Sequence, residues 1–209
     1  MEYRIIHLDE RLVVVDKPSG LLSVPGIGPE KADCLVARVA DEVEGARIVH
    51  RLDRDTSGVI VLARDAESHR ELSRQFQDRE VSKQYLAMVI GHPEEDEGRI
   101  DLPIRKDLDN TPLQMVDHVH GRPSMTDWSV QQRLEDPCRS RLLLEPLTGR
   151  SHQIRLHLQQ IGHPILGDDL YADSRGASMA PRLMLHAWTL GFVHPSTAEP
   201  MRFESVPPF

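Results

Sequence analysis

Nine short runs of apolar and β-branched residues punctuate the chain, and most gaps between them are too short to hold a helical crossover. Strands joined that way pair antiparallel, so the order of the runs predicts an α+β fold with a mainly antiparallel, mixed sheet and a few flanking helices. Residues 3–8 and 11–16 read as a hairpin about Asp9-Glu10, ended by Pro18-Ser19-Gly20. Further strands are expected at 59–63, 83–90, 99–104, 126–132, 141–147, 183–189 and 201–205. Helical spacing appears at 33–43, where Leu35, Val36, Val39 and Val43 recur behind Asp33 as N-cap, and at 66–77, where Leu72 and Phe76 lie four apart. A third helix is expected to open at Ser151 as N-cap, with Ile154, Leu158 and Ile161 as its apolar stripe and His152, Arg155 and Gln159 on a neighbouring face.

No Pro/Gly/Ser-rich linker or charge block divides the 209 residues, which reads as a single domain over 1–209. Uncharged stretches such as 84–93 are too short to cross a bilayer, and nothing in the sequence suggests export. Two cysteines, Cys34 and Cys138, stand far apart and outside any Cys-x-x-Cys pair, so a reducing cytoplasm fits and a disulfide frame does not. The net charge of −8 argues against broad attraction to polyanions, so any nucleic-acid surface has to be local. With only 4% aromatic residues, few rings are available for stacking, and Tyr85 stands out.

Three segments carry candidate chemistry. His50-Arg51-Leu52-Asp53-Arg54-Asp55-Thr56-Ser57-Gly58 places a carboxylate at the mouth of the strand Val59–Ala63. Asp53 there serves a catalytic loop or, equally on this segment alone, an Asx turn that binds local amides. Lys83–Gly91 is a strand whose single ring, Tyr85, fits either the core or a stacked nucleobase. Thr148–His157 comes after a strand and supplies Arg155, whose guanidinium could keep a partner carboxylate such as Asp53 ionised and aimed. His152 and His157 are five apart and do not share a helical face as zinc-binding pairs four apart do, so no metal is expected. There is no phosphate loop, and Gly26-Ile27-Gly28 lacks the third glycine of a dinucleotide fingerprint, so no cofactor is expected and hydrolysis or isomerisation is favoured.

Taken together, Lys17-Pro18-Ser19-Gly20, His50-Arg51-Leu52-Asp53 with Thr56-Ser57-Gly58, Lys83-x-Tyr85-x-Ala87, Thr148-Gly149-Arg150-x-His152-Gln153-Ile154-Arg155-x-His157 and Gly162-His163-Pro164-Ile165-x-Gly167-Asp168 resemble the RluA family of pseudouridine synthases. The order and spacing match over nearly the whole chain. The resemblance implies a pseudouridine synthase catalytic-domain fold with a central active-site cleft, in a compact form without an S4 RNA-binding domain. It implies isomerisation of uridine by a cofactor-free cytoplasmic monomer acting on structured RNA, in particular a 23S ribosomal RNA stem-loop, a transfer RNA anticodon stem-loop, or both. Asp53 would be the catalytic carboxylate, acting at C1′, at C6 or as a base at C2′. Arg155, Tyr85 and Leu185 would support it as ion partner, stacked ring and apolar floor, and loss of Arg155 is expected to remove activity while leaving the fold intact. Arg51 would enter the RNA, with His50 and Arg150 also on the RNA side. A non-catalytic RNA-binding protein on the same fold and an Asp53-dependent hydrolase are the competing readings.

Overall fold

The computed structural model describes residues 2–209, which pack as two compact units, 2–83 with His186–Pro208 and Gln84–Leu185 with Phe209. The fold is α+β, a mixed arrangement of strands with few helices. Among the described residues no helix is long and apolar enough to cross a membrane.

The first unit is built on a strand buried along its whole length, β4 (Ser57–Ala63). A continuous Val-Ile-Val-Leu run suits such a strand because both of its faces are covered. On one side it pairs antiparallel with β2 (Leu12–Lys17), from Leu12↔Ala63 to Lys17↔Gly58. The hairpin partner of β2 is β1 (Arg4–Leu8). At the far end of β4, the two-residue β3 (Arg47–Ile48) pairs with Leu62 and Ala63. The mixed character comes from β11 (Leu185–Val193), which runs parallel to β4 through His186↔Ser57 and Ala187↔Gly58 and carries β12 (Pro200–Glu204) antiparallel beside it.

Two helices belong to this unit. In α2 (Ala66–Gln77) the Asp65 side chain caps the first turn by accepting the Ser68 N–H at 2.8 Å. Its buried Gln75 ties helix to strand, donating to the Val193 carbonyl and accepting the Val193 N–H, both at 2.9 Å. The helix expected from Asp33 is shorter: α1 spans Leu35–Glu42 with Cys34 at the cap. Asp33 does not cap it because its carboxylate grips the Arg38 guanidinium at 2.6 and 2.7 Å.

In the second unit, β5 (Ser82–Ile90), β10 (Arg139–Pro146), β9 (Met125–Leu134) and β6 (Glu97–Asp101) form an antiparallel sheet in that order. The single strand expected over 99–104 is two, because the chain breaks at Leu102-Pro103 and Pro103 has no N–H to donate to a ladder. Beyond the break the chain forms a separate hairpin, β7 (Ile104–Lys106) with β8 (Gln114–Val116). The unit's core gathers Ala87, Val89, Leu142 and Leu144 from the sheet with Ile154 and Leu158 from α3 (Gln153–Gln160). The short α4 (Ser174–Ser178) is capped by Asp173, which accepts the Gly176 N–H at 2.7 Å.

Candidate active site

The Asp53 loop is held by its backbone. Lys17 is completely buried, and its ammonium donates to the carbonyls of Pro18, Leu21 and Arg54 at 2.9, 2.7 and 2.9 Å. A buried ammonium is costly unless its hydrogens are matched, and here carbonyls match them. The neighbouring residues extend the clamp: Gly20 N–H also reaches the Arg54 carbonyl at 2.8 Å, and Ser19 Oγ donates to the Asp55 carbonyl at 2.7 Å. Ser23 Oγ donates to the Leu52 carbonyl at 2.7 Å and accepts the Leu52 N–H at 3.1 Å. The turn closes through the Thr56 N–H on the Asp53 carbonyl at 3.2 Å. This closure is backbone to backbone, so the Asx role that the segment alone allowed for the Asp53 side chain does not hold this turn. Asp55 pairs with Arg54 at 3.0 Å.

At the end of the loop Ser57 Oγ lies 2.8 Å from His186 Nδ1, and His186 Nε2 lies 2.9 Å from the Ser205 carbonyl. Ser57 and His186 are both buried, so this relay fixes where the loop enters β4.

His50 packs beside the loop. Its ring stacks on Phe76 with centroids 4.2 Å apart, and its Nε2 accepts the Val61 N–H at 3.2 Å. Burial, reinforced by the nearby Lys83 charge, lowers its pKa from 6.5 to about 3. A neutral imidazole that accepts from the backbone of β4 supports the strand beside the loop, and the His50 side chain is half-buried. Arg51 beside it is exposed.

The second unit holds the other candidates. Tyr85 pairs with Leu144 across β5 and β10 and is half-buried against the core, and Leu185 is buried in the same core. Arg150 is half-buried, with its guanidinium 3.4 Å from the Pro123 carbonyl.

The helix carrying Arg155 begins at Gln153, not at Ser151, and its cap position is His152 in the left-handed region at φ 53°. Gln153 replaces the expected serine as organiser of the turn. Its Oε1 accepts Thr148 Oγ1 at 2.7 Å and the Arg150 N–H at 3.0 Å, while its Nε2 donates to the Met125 carbonyl at 2.9 Å. The neighbouring face expected to be polar is not solvated: Arg155 is 2% exposed and Asp168 is 0% exposed. Arg155 Nε and one terminal nitrogen meet the two Asp168 oxygens at 2.8 and 2.5 Å, and the same terminal nitrogen lies 3.3 Å from Asp169. Nothing in the spacing of the sequence marks Asp168 as the carboxylate that Arg155 holds by a bidentate pair. His157 is buried between Thr126 Oγ1 at 2.9 Å and the Leu102 carbonyl at 3.1 Å, and burial lowers its pKa.

A family model described as RNA pseudouridylate synthase matches residues 11–160. The chain belongs to the RNA pseudouridylate synthase family, a family of isomerases. It is similar to the dual-specificity RNA pseudouridine synthase RluA of Yersinia pestis, at 48% identity over 96% of this chain and 97% of that one. RluA of Escherichia coli K12 is 47% identical over 96% of this chain and 91% of its own length. Among solved structures, human RNA pseudouridylate synthase domain containing 1 aligns with a TM-score of 0.83 at 28% identity, covering 100% of this chain and 84% of the other.

Proposed function

We propose that this RNA pseudouridine synthase uses Asp53 as its reacting carboxylate on a uridine within a stem-loop, and that it serves a 23S ribosomal RNA site, a transfer RNA anticodon arm, or both. The clamp of Lys17, Ser19, Gly20 and Ser23 on the carbonyls of residues 52, 54 and 55 is the observation that carries the assignment. A rigid loop lets a carboxylate meet a reacting atom without reordering cost at the moment of reaction. The relatives' description as dual-specificity enzymes supports two kinds of RNA target.

The reaction breaks the bond from C1′ to N1, turns the uracil and joins C1′ to C5. The hydrogen on C5 leaves to water and N1 gains one, so the product is an isomer. Asp53 acts at C1′, at C6 or on the C2′ hydrogen. The uridine has to leave its stack, at a cost of a few kcal/mol. Exposed Arg51 braces the gap, Tyr85 stacks on the extruded base and Leu185 lines its floor. Arg155 orients the carboxylate chemistry, and Arg150 meets a phosphate. The family match runs across both compact units, which supports one catalytic domain, and we assign it to a cytoplasmic monomer.

The test uses stem-loop RNA tritiated at uracil C5. Wild type releases tritium to water and Asp53→Asn releases none while keeping its fold by circular dichroism. RNA bound without release by wild type would favour the binding protein, and label leaving the RNA as free tritiated uracil, with none in water, would favour the hydrolase.

A further inference from the structure

Tyr171 stands where three parts of the second unit meet. Its hydroxyl accepts the Gln114 N–H at 2.8 Å, at the first residue of β8, and lies 2.9 Å from His152 Nδ1. Its ring meets the His152 imidazole edge to face, with centroids 5.6 Å apart at 86°. The Arg155 guanidinium carbon sits 5.3 Å from the centroid of the same ring. Tyr171 and Arg155 also share an anchor, because Asp168 Oδ1 accepts the Tyr171 N–H at 3.0 Å and an Arg155 N–H at 2.5 Å.

His152 gives this junction its meaning. A residue with a Cβ at φ 53° is disfavoured, by about 1–2 kcal/mol, and such conformations persist where the surroundings over-determine them, often at ligand clamps. His152 makes no side-chain capping bond of its own to α3. Tyr171 supplies both a hydrogen-bond partner and a ring face for it. Where His152 ends and Gln153 begins sets the register of the first turn of α3, and Arg155 lies in that turn. On the other side, β8 belongs to a hairpin segment whose Lys106, Leu108, His118, Val119 and His120 are exposed, a mixture of charge, imidazole and apolar surface that suits RNA backbone and bases.

We propose that Tyr171 is a positioning residue for the reaction, its ring fixing Arg155 and its hydroxyl coupling the β7–β8 hairpin to His152 and the start of α3. The inference rests on the assignment of Arg155 to the reacting site. It separates two functions in one side chain: the ring serves turnover, and the hydroxyl serves engagement of structured RNA.

Tyr171→Phe and Tyr171→Leu in the full chain separate them. With tritiated stem-loop RNA, Tyr171→Phe raises KM about fivefold, the worth of one hydrogen bond, and leaves kcat within about twofold. Tyr171→Leu loses the ring as well, and its kcat falls a further ~10-fold, the scale of a partly desolvated cation–π contact. Without RNA, exchange of the Gln114 amide hydrogen in Tyr171→Phe quickens about fivefold while amides of β9 and β10 keep their rates. Equal kcat for the two variants, or unchanged Gln114 exchange in Tyr171→Phe, overturns the proposal. Should Tyr171→Leu fail to fold by circular dichroism, the exchange and KM of Tyr171→Phe decide alone. A wild-type protein that releases no tritium would sink the functional reading instead, and Gln114 exchange would still decide whether the hydroxyl couples hairpin to helix.

Discussion

Arg155 and Asp168 are both charged and both out of water, so each depends on the other. Removing one member of such a pair leaves an uncompensated buried charge. Arg155→Ala is therefore expected to lower unfolding free energy by about 3–5 kcal/mol, and its loss of activity is inseparable from that unless assayed well below the transition. Read from the sequence alone, the fold tolerates this change, whereas the burial of the pair predicts that it does not. Urea denaturation checks the point, together with Arg155→Met/Asp168→Asn, which removes both charges, keeps Oδ1 as acceptor for the Leu170 and Tyr171 N–H groups and should recover part of the stability. A midpoint for Arg155→Ala equal to wild type would show the pair to be dispensable. His50 makes a second prediction at this scale. Its folded pKa of about 3 lies below the 6.5 of a solvated imidazole, so below pH 6.5 the unfolded chain binds a proton that the folded chain refuses. The stability contributed by neutral His50 is present above pH 6.5 and declines as pH falls toward 3. Between pH 7 and 5 ordinary carboxylates are still ionised, which isolates the histidines. The denaturation midpoint of wild type should fall over that interval more steeply than that of His50→Gln, and parallel curves would contradict the burial of His50.

At the scale of elements, the join between β4 and β11 is tight. Gly58 has φ 117°, and a Cβ there would stand 2.2 Å from the Ala187 carbonyl oxygen and 2.7 Å from the Ala187 nitrogen. Both neighbours are backbone of a paired strand and cannot swing aside. Gly58→Ala should cost more than about 3 kcal/mol, strain and clash together, whereas Gly149→Ala, with nothing within 4 Å, should stay within about 1 kcal/mol. Thermal unfolding of the two variants side by side tests this, and similar midpoints would mean that β11 can move away from β4. The same elements show what the sequence can reveal. The runs behind β4 and α2 are long and periodic enough to be read directly, and the structure puts them within two residues of their expected limits. Strands of two or three residues, β3 and β8, have no period to read. Ser151 looks like a better cap than His152 by residue type, but the side-chain bonds of Gln153 decide the turn, and they reach back to Thr148 and Met125. Asp53, Tyr85 and Arg155 are legible as candidates because their types and spacing form a motif. The roles of His186 and Tyr171 are not, since each acts through backbone or side chains 19 to 129 positions away, such as Ser57 for His186.

For the molecule as a whole, the question is how a chain of net charge −8 engages a polyanion. Several of its arginines face carboxylates of the same chain: Arg38, Arg74, Arg99, Arg105 and Arg133 each hold one at 2.5 to 2.8 Å. Arg155 is buried on Asp168. The acidic excess repels RNA at long range. Recognition must then rest on shape and on an extruded base more than on counterion release. Each phosphate contact contributes a slope of about −0.7 to −0.9 to log K against log salt, so a surface with about two contacts loses roughly tenfold in affinity between 50 and 200 mM salt. A broadly basic RNA-binding surface with 6 to 10 contacts would lose about a thousandfold or more over the same range. Binding of a stem-loop RNA to Asp53→Asn, which retains the substrate unreacted, is the measurement to make across that range. A slope near −2 fits recognition by a local site, and a slope steeper than about −5 would mean that an extended cationic surface forms on binding despite the ion pairs.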